Sequence, residues 1–138
     1  MRPELVSIDG AFKAGRDGDK AVLLFPRHPK PGQAFRQEFS LGNAEDVAEV
    51  LTKTFACDDR SKFAELVPGS LTAFGAAACD DSDCVVTREF SPLDPGVSEW
   101  KYFAPGVGMF LEVNLETGDT VQLIVCEVYM STLCDELP

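Results

Sequence analysis

From Cys84 to Met130 the chain is a succession of short apolar runs, each closed by a turn signal, and this spacing is what most limits the folds open to it. The runs are Cys84 to Phe90, Ser98 to Phe103, Val107 to Val113 and Thr120 to Met130, rich in β-branched and aromatic residues. Between them lie Pro92 to Gly96, Pro105-Gly106 and Glu116 to Asp119. Pro105-Gly106 has type II turn chemistry: proline presets the first central residue and glycine takes the positive φ of the second. Parallel strands need a crossover of a dozen residues or more, and no segment of that length separates these runs. The expectation is therefore mostly β: an antiparallel meander forming a twisted sheet or half barrel.

Upstream the signals are thinner. Residues 1–20 read as loop or extended arm, with turn-prone Gly15 to Asp19. Ala21 to Phe25 is a short apolar run stopped by Pro26, fitting a buried strand. After Pro29, Pro31 and Gly32, the segment Gln33 to Ser40 alternates, with Phe35, Gln37 and Phe39 on one face and Arg36 and Glu38 on the other, as in a half-buried strand. Asn43 to Phe55 fits two periods: Val47, Val50, Leu51 and Phe55 at helical spacing, or Ala48, Val50, Thr52 and Thr54 alternating. Residues 57–83 read as a long irregular insertion, with one helical turn or short strand at Lys62 to Val67. The organisation expected is a single domain: first strands over 21–56, the Cys- and Asp-rich insertion over 57–83, hairpins over 84–130 and a tail over 131–138.

The length of 138 residues and 45% hydrophobic content suffice for one ordinary core, and no apolar run approaches the roughly 18 to 20 residues of a membrane-spanning helix. Twelve basic against twenty-three acidic side chains give a net charge of −11, a field that repels phosphate backbones, so nucleic acid is not an expected partner. The first 36 residues nonetheless carry seven basic and four acidic residues, a net +3, leaving −14 for the remainder. That asymmetry makes the basic part a candidate contact surface for the acidic part or for a second acidic protein.

Cys57, Cys79, Cys84, Cys126 and Cys134 include no Cys-x-x-Cys pair, and His28 is the sole histidine, which argues against zinc. Cys79 and Cys84 bracket a polar loop and Cys134 sits in a polar tail, where thiols would meet solvent. Disulfides in an oxidising, extracytoplasmic compartment are expected, with the pairing open. The first ten residues lack the basic start and the apolar stretch of about 7 to 15 residues of a secretion signal, so an exported form would carry its signal upstream.

Two segments resemble a family of uncharacterised, mostly exported bacterial β-rich proteins. Val86 to Val113, with Thr-Arg-Glu-Phe-Ser-Pro-Leu-Asp-Pro-Gly and Tyr-Phe-Ala-Pro-Gly-Val-Gly at its centre, is similar to the family's C-terminal signature, approximately TREWTPLEPGVVEHKYYAPGVGLVLEV. His28-Pro-Lys-Pro-Gly-Gln-Ala-Phe-Arg-Gln-Glu-Phe39 followed by Ala44 to Leu51 is similar to its HPKVGDSYRQEY and AEDEAEVL, in the same order. The resemblance implies an alternating strand over Asp46 to Thr54, and resolves the ambiguity there toward strand. It also implies a preceding half with a signal peptide and further strands, so that this chain corresponds to the family's C-terminal half. It supplies no catalytic residues, and the stretch from Cys57 to Asp83 is longer than the family's hairpin at that place.

Candidate chemistry is sparse. Asp80, Asp81 and Asp83 gather hard oxygen ligands of the kind Ca²⁺ takes, without EF-hand spacing, and compete with a plain solvated acidic loop. Gly106-Val107-Gly108 is followed by a strand rather than a helix, which suits a turn and bulge better than a phosphate loop. A nucleophilic triad would have to use His28, and no Gly-x-Ser-x-Gly elbow is present. Trp100, Tyr102, Phe103, Phe110 and Tyr129 are candidates to line a concave sheet face for a ligand or partner, or else to form the core. Because Trp100 and Tyr102 alternate with Lys101 and Phe103, both faces are partly apolar and both need cover, which a partner protein or second copy could supply. The functional expectation is a non-enzymatic β module that associates with a partner through its sheet edge or apolar face; the alternative is a carrier of a small lipophilic ligand.

Overall fold

A computed structural model describes residues 18–57, 62–67 and 72–123, with the side chains of 72–74 excepted. Expectations for residues 1–17 and 124–138, among them Cys126, Tyr129 and Cys134, fall outside the described residues. Six strands form one open antiparallel sheet in sequence order: β1 (Ala34–Arg36), β2 (Val47–Phe55), β3 (Cys84–Ser91), β4 (Asp94–Ala104), β5 (Gly108–Asn114) and β6 (Thr120–Gln122). This is the meander that the run-and-turn pattern demands, and it does not close into a barrel. β2 settles the ambiguous segment as strand.

The turns follow their residue chemistry. The Val107 amide donates to the Ala104 carbonyl at 3.2 Å across Pro105-Gly106, and Gly106 holds φ +73°. Gly108, at φ +93°, opens β5 beside a register shift between Tyr102 and Phe103. The β3–β4 reversal is tighter than the expected Pro92 to Gly96 turn. Only Pro92 and Leu93 lie between the strands, and the surplus residues form an irregularity where Phe90 pairs with Ser98 but Ser91 pairs with Asp94.

Two strands expected upstream are corrected. Gln33 to Ser40 is a strand only over Ala34–Arg36, although its alternation holds, with Phe35, Gln37 and Phe39 half-buried and Arg36 and Glu38 exposed. Ala21 to Phe25 is neither a regular strand nor buried: Leu24 is 77% exposed. It runs along the outer edge of β1, where the Lys20 amide donates to Phe39 O at 3.1 Å and the Leu23 amide to Arg36 O at 3.2 Å. These two spaced bonds in antiparallel sense, with a third from Gln37 Nε2 to Leu24 O at 3.1 Å, tether this arm without building a ladder, and only Phe25 turns inward.

The sheet has two distinct faces. On one, Val86, Tyr102 and Leu111 lie opposite one another across β3, β4 and β5, all fully buried. The described part of the insertion, expected to be irregular apart from one helical turn or short strand at Lys62 to Val67, covers this face with a 3₁₀ turn (Ala64–Leu66) and a short helix α1 (Thr72–Ala78). Phe55 packs edge-on against Tyr102 at 5.3 Å, Phe63 against Trp100 at 4.9 Å, and the Tyr102 hydroxyl donates to Phe63 O at 2.9 Å. A disulfide joins Cys79, just after α1, to Cys84 at the start of β3. Each large side chain buried here stabilises the fold by about 1.5 to 3 kcal/mol.

On the other face, Val85, Phe103 and Met109 form one cross-strand row and Thr87, Lys101 and Glu112 the next. The arm covers part of it: the Phe25 ring sits 4.8 Å from Phe103 and 6.3 Å from Phe35. Cover on both faces thus comes from the chain itself over the described residues.

Candidate functional site

The cover on the second face is incomplete, and the gap is a cavity of about 720 Å³. Leu24 and Phe25 of the arm form one wall, and Val85, Phe103 and Met109 of the sheet form another. The β4–β5 turn, from Pro105 to Gly108, closes the rim. Period two explains the apolar walls, because Val85, Phe103 and Met109 occupy successive strands in register on one face.

The same alternation puts charge at the inner end. Lys101, one pair further along β4 from Phe103, donates to Glu89 Oε2 of β3 and lies 3.3 Å from Glu112 Oε2 of β5. Burial alone would lower the Lys101 pKa, but the hydrogen bond and charge of Glu89, with those of Glu112, outweigh it and raise the value. Glu89 keeps only 10% of its side chain exposed, and its second oxygen, Oε1, is buried without a hydrogen-bond partner. Thr87 Oγ1, on the same face, is unpartnered too. Glu89 and Lys101 also line a smaller cavity of about 260 Å³ on their other side, with Asp46, Asp94 and Glu99 around it. Glu99 is pushed above the usual carboxylate range, first by burial and then by Glu112, with Glu89 and Asp46 adding to it against the opposing charge of Lys101. The polar end therefore carries one ammonium among several carboxylates, and its local balance is negative.

The aromatic residues that were candidates for a ligand face or for the core are divided between the two faces of the sheet. Tyr102 and Phe110 are buried in the core beneath the insertion, and Trp100 is half-buried there against Phe63. Phe103 alone of the described members lines the cavity, because alternation along β4 turns it away from Trp100 and Tyr102. Asp80 and Asp81 are exposed in the disulfide loop, and Asp83 borders the cavity mouth. Among the described residues no group of three or more His, Cys, Asp or Glu side chains is placed to hold a metal ion. His28 is exposed and does not line the cavity, although its neighbour Pro29 does. Glu89 and Lys101 were not singled out by sequence reasoning. Their signal was that they share a strand face with Val85 and Phe103, an inward position for charge.

Compared with family models, with curated proteins and with solved structures, the chain gives no match.

Proposed function

We propose that this protein is a non-enzymatic carrier that holds a small lipophilic molecule between its arm and its sheet. The observation that carries this reading is the cavity of about 720 Å³, apolar along its walls and polar at one end, in the size range of small-molecule sites. Its arm-side wall is held by few bonds, so a ligand can enter by displacing Leu24 and Phe25 rather than by opening the sheet. Nile red, a neutral lipophilic dye, tests it: the protein should bind the dye saturably with blue-shifted emission, and Met109→Trp, which fills the mouth from an exposed position, should abolish binding. Dye that does not bind, or that binds the filled variant equally well, would remove the reading.

Association with a partner or a second copy has one observation in support: the sheet is open, and Val121 on β6, the last described strand, is 58% exposed. Molar mass in solution at increasing concentration should then exceed that of the 15.0 kDa chain. The Cys79–Cys84 disulfide is consistent with an oxidising compartment and supports an extracytoplasmic placement. We place the chain with the exported family its segments resemble.

A further inference from the structure

We infer that the cavity selects lipophilic cations, molecules with an apolar body and a protonated amine, through the unpartnered oxygen of Glu89. This rests on the carrier reading and adds the chemistry of the head group. Two groups, Lys101 and Glu89, could meet a ligand at the polar end, and their bonding states separate them. Lys101 is engaged twice, by Glu89 Oε2 and Glu112 Oε2, so its charge is already shared by two carboxylates and a ligand carboxylate could take its third N–H only beside both of them. Glu89 is engaged once: Oε2 accepts from Lys101 while Oε1 is buried and accepts from nothing. An acceptor left in that condition costs free energy, and a donor from a ligand would recover it once the head group displaces the side chains that cover Oε1.

Charge chooses among donors. Around the single ammonium of Lys101 stand Glu89, Glu112 and Glu99, with Asp46 and Asp94 across the smaller cavity and Asp83 at the mouth of the larger. An anion entering here meets repulsion, a neutral hydroxyl gains one hydrogen bond, and an ammonium gains the bond and the field. Charge-assisted bonds are the stronger kind. The apolar walls reject a small hydrated cation such as a metal ion, which would have to shed its water against Phe25, Phe103 and Met109.

The test is a set of three ligands sharing one chain, dodecylamine, dodecanol and dodecanoate, competed against Nile red below their micelle-forming concentrations. Dodecylamine should bind about tenfold tighter than dodecanol, with dodecanoate weakest. Glu89→Gln should erase the advantage of the amine over the alcohol while still binding both, and Glu65→Gln, in the 3₁₀ turn that covers the opposite face of the sheet, should keep it. Equal affinity of the three, or preference for dodecanoate, would overturn the head-group inference and leave the carrier reading standing; binding of none of them would remove both. Should Glu89→Gln fail to fold, the order of the three ligands on the unaltered protein still decides.

Discussion

Gly75 shows how one missing Cβ can decide whether an element packs. It lies in α1, and a Cβ built on it would stand 2.1 Å from Cys57 Sγ and 3.1 Å from Cys57 Cβ. Gly75→Ala at an exposed helical site would gain about 1 kcal/mol in helix propensity, whereas forcing atoms into a filled core costs about 1 to 3 kcal/mol. Contact at 2.1 Å with a buried side chain places this case at the upper end, so Gly75→Ala should lower the midpoint of urea unfolding. A raised midpoint would mean that α1 does not rest on Cys57. Glu99 offers a second check of opposite sign. Its carboxyl titrates above the ordinary 4.5, so the folded chain holds that proton more firmly than the unfolded one. The resulting stability is fully present below 4.5 and is lost as pH rises through the folded-state value, leaving ionised Glu99 a liability at neutral pH. Glu99→Gln should therefore stabilise the protein at neutral pH, and the gain should fade on acidification below 4.5. A gain independent of pH would assign the effect to something other than charge.

At the scale of elements, the disulfide fastens α1 to β3 where the sheet alone would leave the insertion loosely held. Cys79 and Cys84 are five apart in sequence, and closing so small a loop stabilises the fold by about 2 kcal/mol. Cys79→Ser with Cys84→Ser should lose about that much by chemical unfolding, and reductant should cost the natural protein the same while leaving the double variant unmoved. What the sequence makes legible follows the same division. The hairpins of β3 to β5 are local objects, since each turn carries its own chemistry and each strand its own period, and Pro105-Gly106 could be read without knowing what surrounds it. α1 could not be read that way. Its Ala-rich run holds a glycine that looks like a helix breaker until the neighbour it accommodates is known. Ala21 to Phe25 misleads for the converse reason: apolar content suggests burial, yet the place available to it is the outer edge of a three-residue strand. The cavity was half legible, because alternation assigns Phe103 and Lys101 to one face, but the gap above them depends on how far the arm reaches, a tertiary outcome.

At the scale of the whole molecule, the segregation of charge along the chain does not become attraction in space among the described residues. Of the basic residues described before position 37, Lys20, Arg27, Lys30 and Arg36, only Arg36 forms an ion pair, with Glu45 at 4.0 Å and half its own side chain exposed. Lys20 and Arg36 instead lie over the Phe39 ring at 5.1 and 4.5 Å. The net charge of −11 acts on the folded state as self-repulsion, and the described basic residues before position 37 relieve it through one ion pair. Added salt has two opposed effects: it screens that repulsion, and it weakens favourable pairs. The Arg36 and Arg88 pairs are partly exposed and each contributes about 0 to 1 kcal/mol, whereas the Glu89–Lys101–Glu112 group is more enclosed and less accessible to screening. Screening of repulsion should win. The melting temperature should rise between dilute buffer and about 1 M sodium chloride, where the screening length falls to about 3 Å. Chloride is the right anion for the measurement, since sulfate would strengthen apolar burial by itself. A melting temperature that falls with chloride would show that the ion pairs outweigh the repulsion, and that the acidic surface is held together by its few cations rather than strained by its excess of anions.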